Sequence, residues 1–433
     1  MKKKYILVFL ILSSGWNVVN AASLSSLYTE TIDSNPSLII SGARKLAGEA
    51  RFRQAEGNLL PQISLSGTSN RTRLNDSEET SFNGETYSLS LTQTLFDIGK
   101  NELKNTSRFD AQKLRENYND ELSKISLDLI ERYVAVLSAE DLVKNLKAEQ
   151  ALLMSQLQGL KSQYERQLAV LTDVLDISAR LDGVNAQIIG AANSVVITRD
   201  RLAGLVGRPV DEPLARFKEN AFSGFYHKED LQHWLDVSLA NNSSLAALGH
   251  GIESAKSDVR LGKSGYYPVV DLQLSAQRTN IGSENIQIQK RGVFVGAINL
   301  TVPIFSGGTT TAIVEEKRAM LIEAQAIYEG ERRKIVTQVR EAYLNTKANI
   351  ANISASKKAI SSAKVSYEAM SKGYKYETVT VVDVLDSIKQ VLSITTEYHR
   401  YHYDYAVNWI RLMNLSGKDS MDSINMASSW LLE

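Results

Sequence analysis

The sequence of 433 residues contains no cysteine, which excludes disulfides, thiolate metal sites and a cysteine nucleophile. It also excludes a lipid anchor, because such an anchor needs a cysteine at the signal-peptide cleavage site. Proline is scarce, with six residues in the whole chain, and this leaves room for very long helices. Basic and acidic residues balance at 49 each, so no charge excess points to a nucleic-acid partner.

No constellation of side chains in the sequence suggests catalysis, and we expect neither enzymatic activity nor a cofactor. His399 and His402 lie three residues apart, close to Asp404, at a spacing that suits metal binding. Tyrosines surround these histidines, and this setting favours a helix interface over a metal site.

Beyond the N-terminus there is no apolar run of transmembrane-helix length, so strands would have to make any membrane crossing. The chain starts with Met1-Lys2-Lys3-Lys4, and an apolar run from Tyr5 to Leu12 follows. Small and polar residues then lead to Ala21-Ala22. This order is typical of a secretory signal peptide, which we predict over residues 1–21.

The chain repeats itself with a nearly constant offset. Asn35 corresponds to Asn242 at an offset of 207, and Asp173-Val174-Leu175-Asp176 recurs as Asp383-Val384-Leu385-Asp386 at an offset of 210. The period is too long for a solenoid and indicates two halves with one architecture. Each half should run helix, two strands, very long helix and shorter helix. The predicted units are a first repeat over 22–215, a second repeat over 216–415, and a C-terminal segment over 416–433 that forms a collar or is disordered.

Each repeat contains two segments in which apolar and polar residues alternate with period two, as strands do. They are residues 62–70 and 87–95 in the first repeat, and residues 270–277 and 294–302 in the second. A strand of about 9–11 residues, when tilted, can cross a bilayer. Strands of a soluble sandwich are the alternative, although no further strand pattern occurs elsewhere.

Two segments free of proline, 99–167 and 308–372, predict very long helices. At 1.5 Å per residue, roughly 66 residues give a helix of roughly 100 Å. Shorter helical segments of about half that length would match one long helix if two of them stacked end to end. We expect 172–206 to stack with 230–265, and 381–415 to stack with 24–60.

The first long helix carries two separate apolar stripes, one through Leu129 and Tyr133 and the other through Ile130 and Val134. Two stripes predict neighbouring helices on both sides, as in a palisade. A broad amphipathic face in a large bundle is the alternative.

Four strands are too few to close a barrel, and in lipid every backbone polar group must be paired within protein. The strand edges should therefore pair with other copies of the chain. Two copies would give a barrel filled by its own side chains, whereas three would leave an open lumen. Strand number therefore favours a trimer without fixing it.

Several short motifs follow one another along the chain in an order and at a spacing that resemble those of a known protein family. They are Asn35-Pro36-Ser37, Asn58-Leu59-Leu60-Pro61-Gln62, Gln93-Thr94-Leu95-Phe96-Asp97-Ile98-Gly99, Leu171-Thr172-Asp173-Val174, Val302-Pro303-Ile304-Phe305-Ser306-Gly307-Gly308 and Thr380-Val381-Val382-Asp383-Val384-Leu385-Asp386. With these motifs the chain resembles the TolC-like outer membrane efflux proteins over essentially its whole mature length.

The resemblance implies an α+β membrane protein that assembles as a homotrimer. Very long helices would form an α-barrel across the periplasm, and four strands per protomer would contribute to a shared twelve-stranded β-barrel in the lipid of the outer membrane. It also implies an exit duct of a tripartite efflux pump or type I secretion system. The partners would be a periplasmic adaptor protein and an inner-membrane pump or ABC transporter. A periplasm-spanning structural or adhesion protein without a pore is the alternative.

Aspartates follow the turns at the far ends of the long helices. Asp173, Asp383 and Asp386 would form rings of carboxylates if three chains met around an axis, and such rings select cations and constrict a pore. Helix capping is the alternative role. Thr380 and Asp383 fit a capping box, whereas Val170 stands at the corresponding position of the first half.

Carried over by position, the resemblance implies a periplasmic constriction formed by Thr172, Asp173, Tyr374, Asp383 and Asp386. Val379 stands where the family pattern can hold an arginine, so no salt bridge is expected from that position, and Lys375 is the candidate for the missing positive charge. The tips that would dock on an inner-membrane partner are Arg166, Gln167, Lys375 and Tyr376. A simple solvated turn is the alternative for these tips.

Overall fold

A computed structural model describes residues 23–74, 80–218, 230–281, 291–376 and 378–432. The predicted signal peptide over 1–21 lies outside the described residues. Within these ranges, no helix is both long and apolar enough to cross a membrane.

The element order repeats once along the chain, as the duplication predicted. The first half contains α1 (Leu24–Ser34), α2 (Pro36–Gly57), β1 (Gln62–Leu74), β2 (Thr80–Phe96), α3 (Ile98–Glu165) and α4 (Leu171–Val206). The second half contains α5 (Leu231–Asn241), α6 (Ser243–Ser264), β3 (Val269–Ile281), β4 (Arg291–Thr301), α7 (Thr309–Lys375) and α8 (Val381–Leu415). A further helix, α9 (Ser420–Ser429), follows them.

The four strands form one antiparallel sheet in the order β1-β2-β3-β4. The predicted strands are confirmed, and they are longer than expected, with β2 reaching 17 residues. The register sets apolar residues opposite apolar residues, as with Leu65 and Leu89 or Leu272 and Ile298. Serines likewise face serines across β1, β2 and β3, so the two faces of the sheet differ in polarity over these three strands. The strand β4 instead places Val293 and Val295 on the serine face.

The predicted long helices are confirmed as α3 with 68 residues and α7 with 67 residues. The helix α3 begins at Asp97, whose side chain accepts a hydrogen bond from the backbone N–H of Lys100 at 3.0 Å. The helix α7 instead follows Gly307 and Gly308, which have φ angles of 62° and 83°. Glycine suits this left-handed conformation because it has no Cβ atom.

The predicted pairing of the shorter helices is wrong. The end of α4 meets the junction of α1 and α2, where the Ser34 hydroxyl donates to the carbonyl oxygen of Val206 at 2.7 Å. The end of α8 meets the junction of α5 and α6, where the Asn242 amide donates to the carbonyl oxygen of Leu415 at 3.2 Å. The shorter helices of one repeat therefore stack end to end into one composite column, α4 with α1 and α2, and α8 with α5 and α6.

The main hydrophobic core lies where the composite columns join, midway along the helices. Both apolar stripes of α3 are buried there, which confirms the prediction of neighbours on both sides. The fully buried Tyr133 donates its hydroxyl to the carbonyl oxygen of Ala215 at 2.7 Å. The C-terminal segment joins this core, since the backbone N–H of Leu432 donates to the carbonyl oxygen of Arg216 at 2.7 Å.

Candidate constriction site at the helix tips

The turns that follow α3 and α7 share one backbone hydrogen bond, at an offset of 210 residues. The backbone N–H of Leu168 donates to the carbonyl oxygen of Gln163 at 2.9 Å, and that of Thr378 donates to Gly373 at 3.0 Å. Gln167 has a positive φ of 62°, the conformation that commonly ends a helix in this way. Both turns reverse the chain so that α4 and α8 start at the same end of the molecule.

The predicted capping box at the start of α8 is present. The backbone N–H of Thr380 donates to Asp383 Oδ2 at 2.9 Å, and the backbone N–H of Asp383 donates to the Thr380 hydroxyl at 3.2 Å. The Thr380 hydroxyl also donates to Asp383 Oδ2 at 2.6 Å. This bond first, and the backbone N–H of Thr380 second, hold the pKa of the Asp383 carboxyl below its ordinary value. Val170 makes no such cap at the start of α4, as its side chain predicts.

Asp386 carries an ion pair that sequence reasoning missed. Its Oδ1 atom lies 3.0 Å from Nη1 of Arg180, with side chains 63% and 39% exposed respectively. The pair joins α8 to α4, so the tip has a salt bridge although Val379 supplies no charge. Arg180 follows Asp173 by seven residues, and this spacing places both side chains on one side of α4. That spacing is the signal by which the sequence could have indicated Arg180 as a residue of the tip.

Tyr374 lies close to the first-half aspartate. Burial and the negative charge of Asp173 both raise the pKa of the Tyr374 hydroxyl. That hydroxyl also donates a long hydrogen bond of 3.4 Å to Oε1 of Gln163. Tyr374 of α7 therefore lies within the electrostatic influence of Asp173 on α4, and the exposed Thr172 precedes Asp173 in the first turn of α4.

A small apolar cluster lies beneath these polar residues and joins all four helices of the tip. Leu160 of α3, Ile177 of α4 and Leu385 of α8 are buried in it, and Met370 of α7 packs against it. The carboxylates of Asp383 and Asp386 lie outside this cluster and are exposed. The tip can therefore present negative charge to an ion while its helices stay packed.

Higher along the helices, an ionic network holds α4 and α8 against α3. The buried Asp141 accepts hydrogen bonds from the Tyr403 hydroxyl of α8 and from Arg216. Next to it, Oε1 of Glu140 lies 2.6 Å from Nη2 of Arg199 on α4. Both shorter helices are thus fixed above the tip, and a relative movement of the helices would be confined to the part below this network.

The turns themselves expose apolar as well as polar side chains. Leu168 and Tyr376 are 75% and 79% exposed, and Arg166 and Gln167 beside them are also exposed. The side chain of Lys375 lies outside the described residues. Among the residues that the structure describes, no group of three or more histidine, aspartate or glutamate side chains is arranged to hold a metal ion.

Comparisons with known proteins agree with this architecture. The model of the family described as outer membrane efflux protein matches residues 27–208 and 234–418. The chain is 26% identical to outer membrane protein TolC of Vibrio cholerae, over 94% of both chains. It is 27% identical to the alkaline protease secretion protein AprF of Pseudomonas aeruginosa, over 81% of this chain and 73% of AprF.

The solved structure of the outer membrane protein VceC from Vibrio cholerae has the same fold. The two structures superpose with a TM-score of 0.79, over 91% of this chain and 96% of VceC. Their sequences are 17% identical.

Proposed function

The chain belongs to the outer membrane efflux protein family, and we propose that it is the exit duct of a tripartite efflux pump or a type I secretion system. In that role it carries substrates passively from the periplasm through the outer membrane. The duct opens when an inner-membrane pump or ABC transporter and a periplasmic adaptor engage its tips.

One observation carries the proposal, namely the sheet with two faces of different polarity at the end of very long helices. Its apolar face is exposed in the protomer, with Leu65 and Phe294 at 76% and 75% exposure. The opposite face carries hydroxyls, as where Ser64 and Ser90 contact each other at 2.8 Å. Such a sheet suits lipid on one side and water on the other.

The open sheet supports assembly into a trimer. Within the described part of the protomer, β1 and β4 each pair on one side only, so both leave an edge of backbone groups. In lipid these groups must be paired, and the edge of β4 is then covered by β1 of the next copy. The pairing of β2 with β3 in the protomer is the internal counterpart, since β3 repeats β1 and β4 repeats β2.

We assign the constriction to the tip residues Thr172, Asp173, Tyr374, Asp383 and Asp386. Around a threefold axis, Asp383 and Asp386 form carboxylate rings that narrow the lumen and favour cations. Separation of α8 from α4 widens this end, and it requires the ion pair between Arg180 and Asp386 to break.

The docking surface comprises the exposed turns with Arg166, Gln167, Lys375 and Tyr376. Leu168 adds an exposed apolar side chain to this surface. Aromatic and arginine side chains are enriched in protein interfaces, and Tyr376 and Arg166 supply both kinds here.

The experiment is a conductance measurement on the purified protein in a planar lipid bilayer. The variant Asp383→Ala/Asp386→Ala should give a larger conductance and a weaker preference for cations than the parent protein. Asp33→Ala, which removes an exposed carboxylate far from the tips, should leave both quantities unchanged. Parent-like conductance and selectivity in the double variant would contradict the proposed constriction. A parent protein that forms no channel would contradict the proposed function as an exit duct.

A further inference from the structure

The two halves of one protomer meet along a polar seam between α3 and α6. The Thr106 hydroxyl donates to Asp258 at 2.9 Å, and the Ser254 hydroxyl donates to Asp110 at 2.8 Å. One turn further along, Gly251 lies against the Lys113 side chain. The α6 residues of this seam follow one another at intervals of three and four, which places them on one stripe.

The internal duplication maps this stripe of α6 onto α2. At the offset of 207, Ala247 corresponds to Ile40 and Ser254 corresponds to Ala47. Ala247 and Ser254 are only 2% and 6% exposed, whereas Ile40 is 50% exposed and Ala47 is also exposed. The stripe of α2 is therefore a helix-packing face that its own protomer leaves uncovered.

The α3 side of the internal seam corresponds, through the same duplication, to a face of α7. The offset of 210 that relates Tyr118 to Tyr328 holds through the uninterrupted helix, so Thr106 corresponds to Glu316 and Lys113 to Glu323. Both glutamates are exposed, as is Met320, which corresponds to Asp110.

When the internal seam is used as the template, the two uncovered faces form a ladder of matched pairs. Arg51 would face Glu316, Ala47 would face Met320, and Arg44 would face Glu323. One turn further along, the exposed Ile40 and Ile327 would come next to each other. Two pairs have opposite charges and two are apolar, so both chemistries are complementary along the ladder.

We propose that this ladder is the contact by which copies of the chain recognise one another, with α7 of one copy seated on the α2 stripe of the next. The inference rests on the proposed trimer and names the residues that select its partner. Within the described residues, Arg44, Arg51 and Glu323 make no ion pair, and Glu316 contacts only the adjacent Lys317, at 3.5 Å. These charges are therefore available to the second copy.

The internal seam carries charge in the same sense as the ladder. Nε of Arg260 on α6 lies 2.9 Å from Oε2 of Glu102 on α3, so the short helix supplies the cation and the long helix supplies the anion. In the ladder, α2 likewise supplies two arginines and α7 supplies two glutamates, and the internal ion pair is the precedent for both.

The first test is a charge exchange. Arg44→Glu/Arg51→Glu and Glu316→Arg/Glu323→Arg should each raise the concentration at which the detergent-solubilised trimer dissociates, roughly tenfold. The four substitutions together should restore it to within about threefold, because the ladder is rebuilt with reversed sign. Lys144→Glu/Lys147→Glu is the matched control on an exposed face of α3. Sedimentation velocity, corrected for bound detergent, gives the measurement.

Parent-like trimers in both double variants, or a fourfold variant no better than the doubles, would overturn the ladder. A parent protein that is monomeric at every concentration would instead overturn the proposed trimer, so the two failures are distinguishable.

A second test does not depend on charge. Because the chain has no cysteine, the pair Ala47→Cys/Met320→Cys can form a disulfide only between the introduced residues. Oxidation should yield covalent dimers and trimers on a denaturing gel. The matched pair Ala47→Cys/Gln325→Cys, with the second cysteine on another face of α7, should stay monomeric. Equal crosslinking of both pairs would contradict the proposed register.

Discussion

Removal of the ion pair between Arg180 and Asp386 should make the duct open more often. The nitrogen–oxygen distance is 3.0 Å, and both side chains are more than a third exposed. The solvent-exposed limit therefore applies, at about 0.5 kcal/mol for each pair. Three copies give about 1.5 kcal/mol, which changes the ratio of open to closed states roughly tenfold.

The assay is the open probability of single channels for Arg180→Met, Asp386→Asn and the double variant. A salt concentration of about 0.1 M is suitable, because stronger salt screens exposed charges. If the pair is the relevant contact, Arg180→Met should have little further effect once Asp386 is neutral. Open probability is the informative quantity, since Asp386 also lies in the proposed constriction and its loss changes the conductance itself.

The matched control is Lys124→Met, which removes an exposed ion pair with Asp120 within α3. That pair joins residues four apart in one helix and cannot link α4 to α8. An open probability for Arg180→Met within twofold of the parent, or equal to that of the control, would refute the reasoning, given the expected roughly tenfold change.

Two further predictions concern the capping box and a tight helix end. Because hydrogen bonds lower the pKa of Asp383, its charge and its capping contribution persist above the ordinary carboxyl pKa and are lost as pH falls through the lowered value. Thr380→Val should therefore shift the loss of cation selectivity to higher pH, whereas Thr380→Ser, which keeps the hydroxyl, should not. Reversal potentials measured as a function of pH give the selectivity, and identical curves for both variants would contradict the role of the hydroxyl. Gly417 has a φ of 74°, and an added Cβ atom would clash with the carbonyl oxygen of Asn241. Gly417→Ala should destabilise the fold by about 2 kcal/mol or more, measured as a lower melting temperature than that of Gly159→Ala, a site with open space around it.

The elements that a local pattern encodes were predictable from the sequence. Alternation with period two predicted the strands, and the scarcity of proline predicted α3 and α7. The spacing of Thr380 and Asp383 predicted the capping box. Each of these patterns is written within a short segment of chain, where neighbouring residues determine the backbone geometry.

The contacts between distant segments were not predictable in the same way. The end of α4 meets the junction of α1 and α2 through contacts of single side chains, such as the Ser34 hydroxyl that reaches a backbone oxygen and the ion pair between Arg208 and Glu30. Such a contact leaves no periodic trace, and the predicted stacking was wrong for that reason. Arg180 and Asp386 are 206 residues apart in the chain. Their pairing depends on the packing of α4 next to α8, and no pattern within either helix encodes that packing.

The pairing of β2 with β3 has a consequence for the order of folding. The hairpin β1–β2 closes locally, with Leu74 opposite Thr80, whereas Phe96 and Val270 meet across 174 residues of chain. Hairpins form within about 1–10 μs, while closure over so long a segment is slower and costs more entropy. The two hairpins should therefore exist before they meet, each with both edges open to incorrect pairing. The step that joins them sets the time during which the newly exported chain is vulnerable to aggregation.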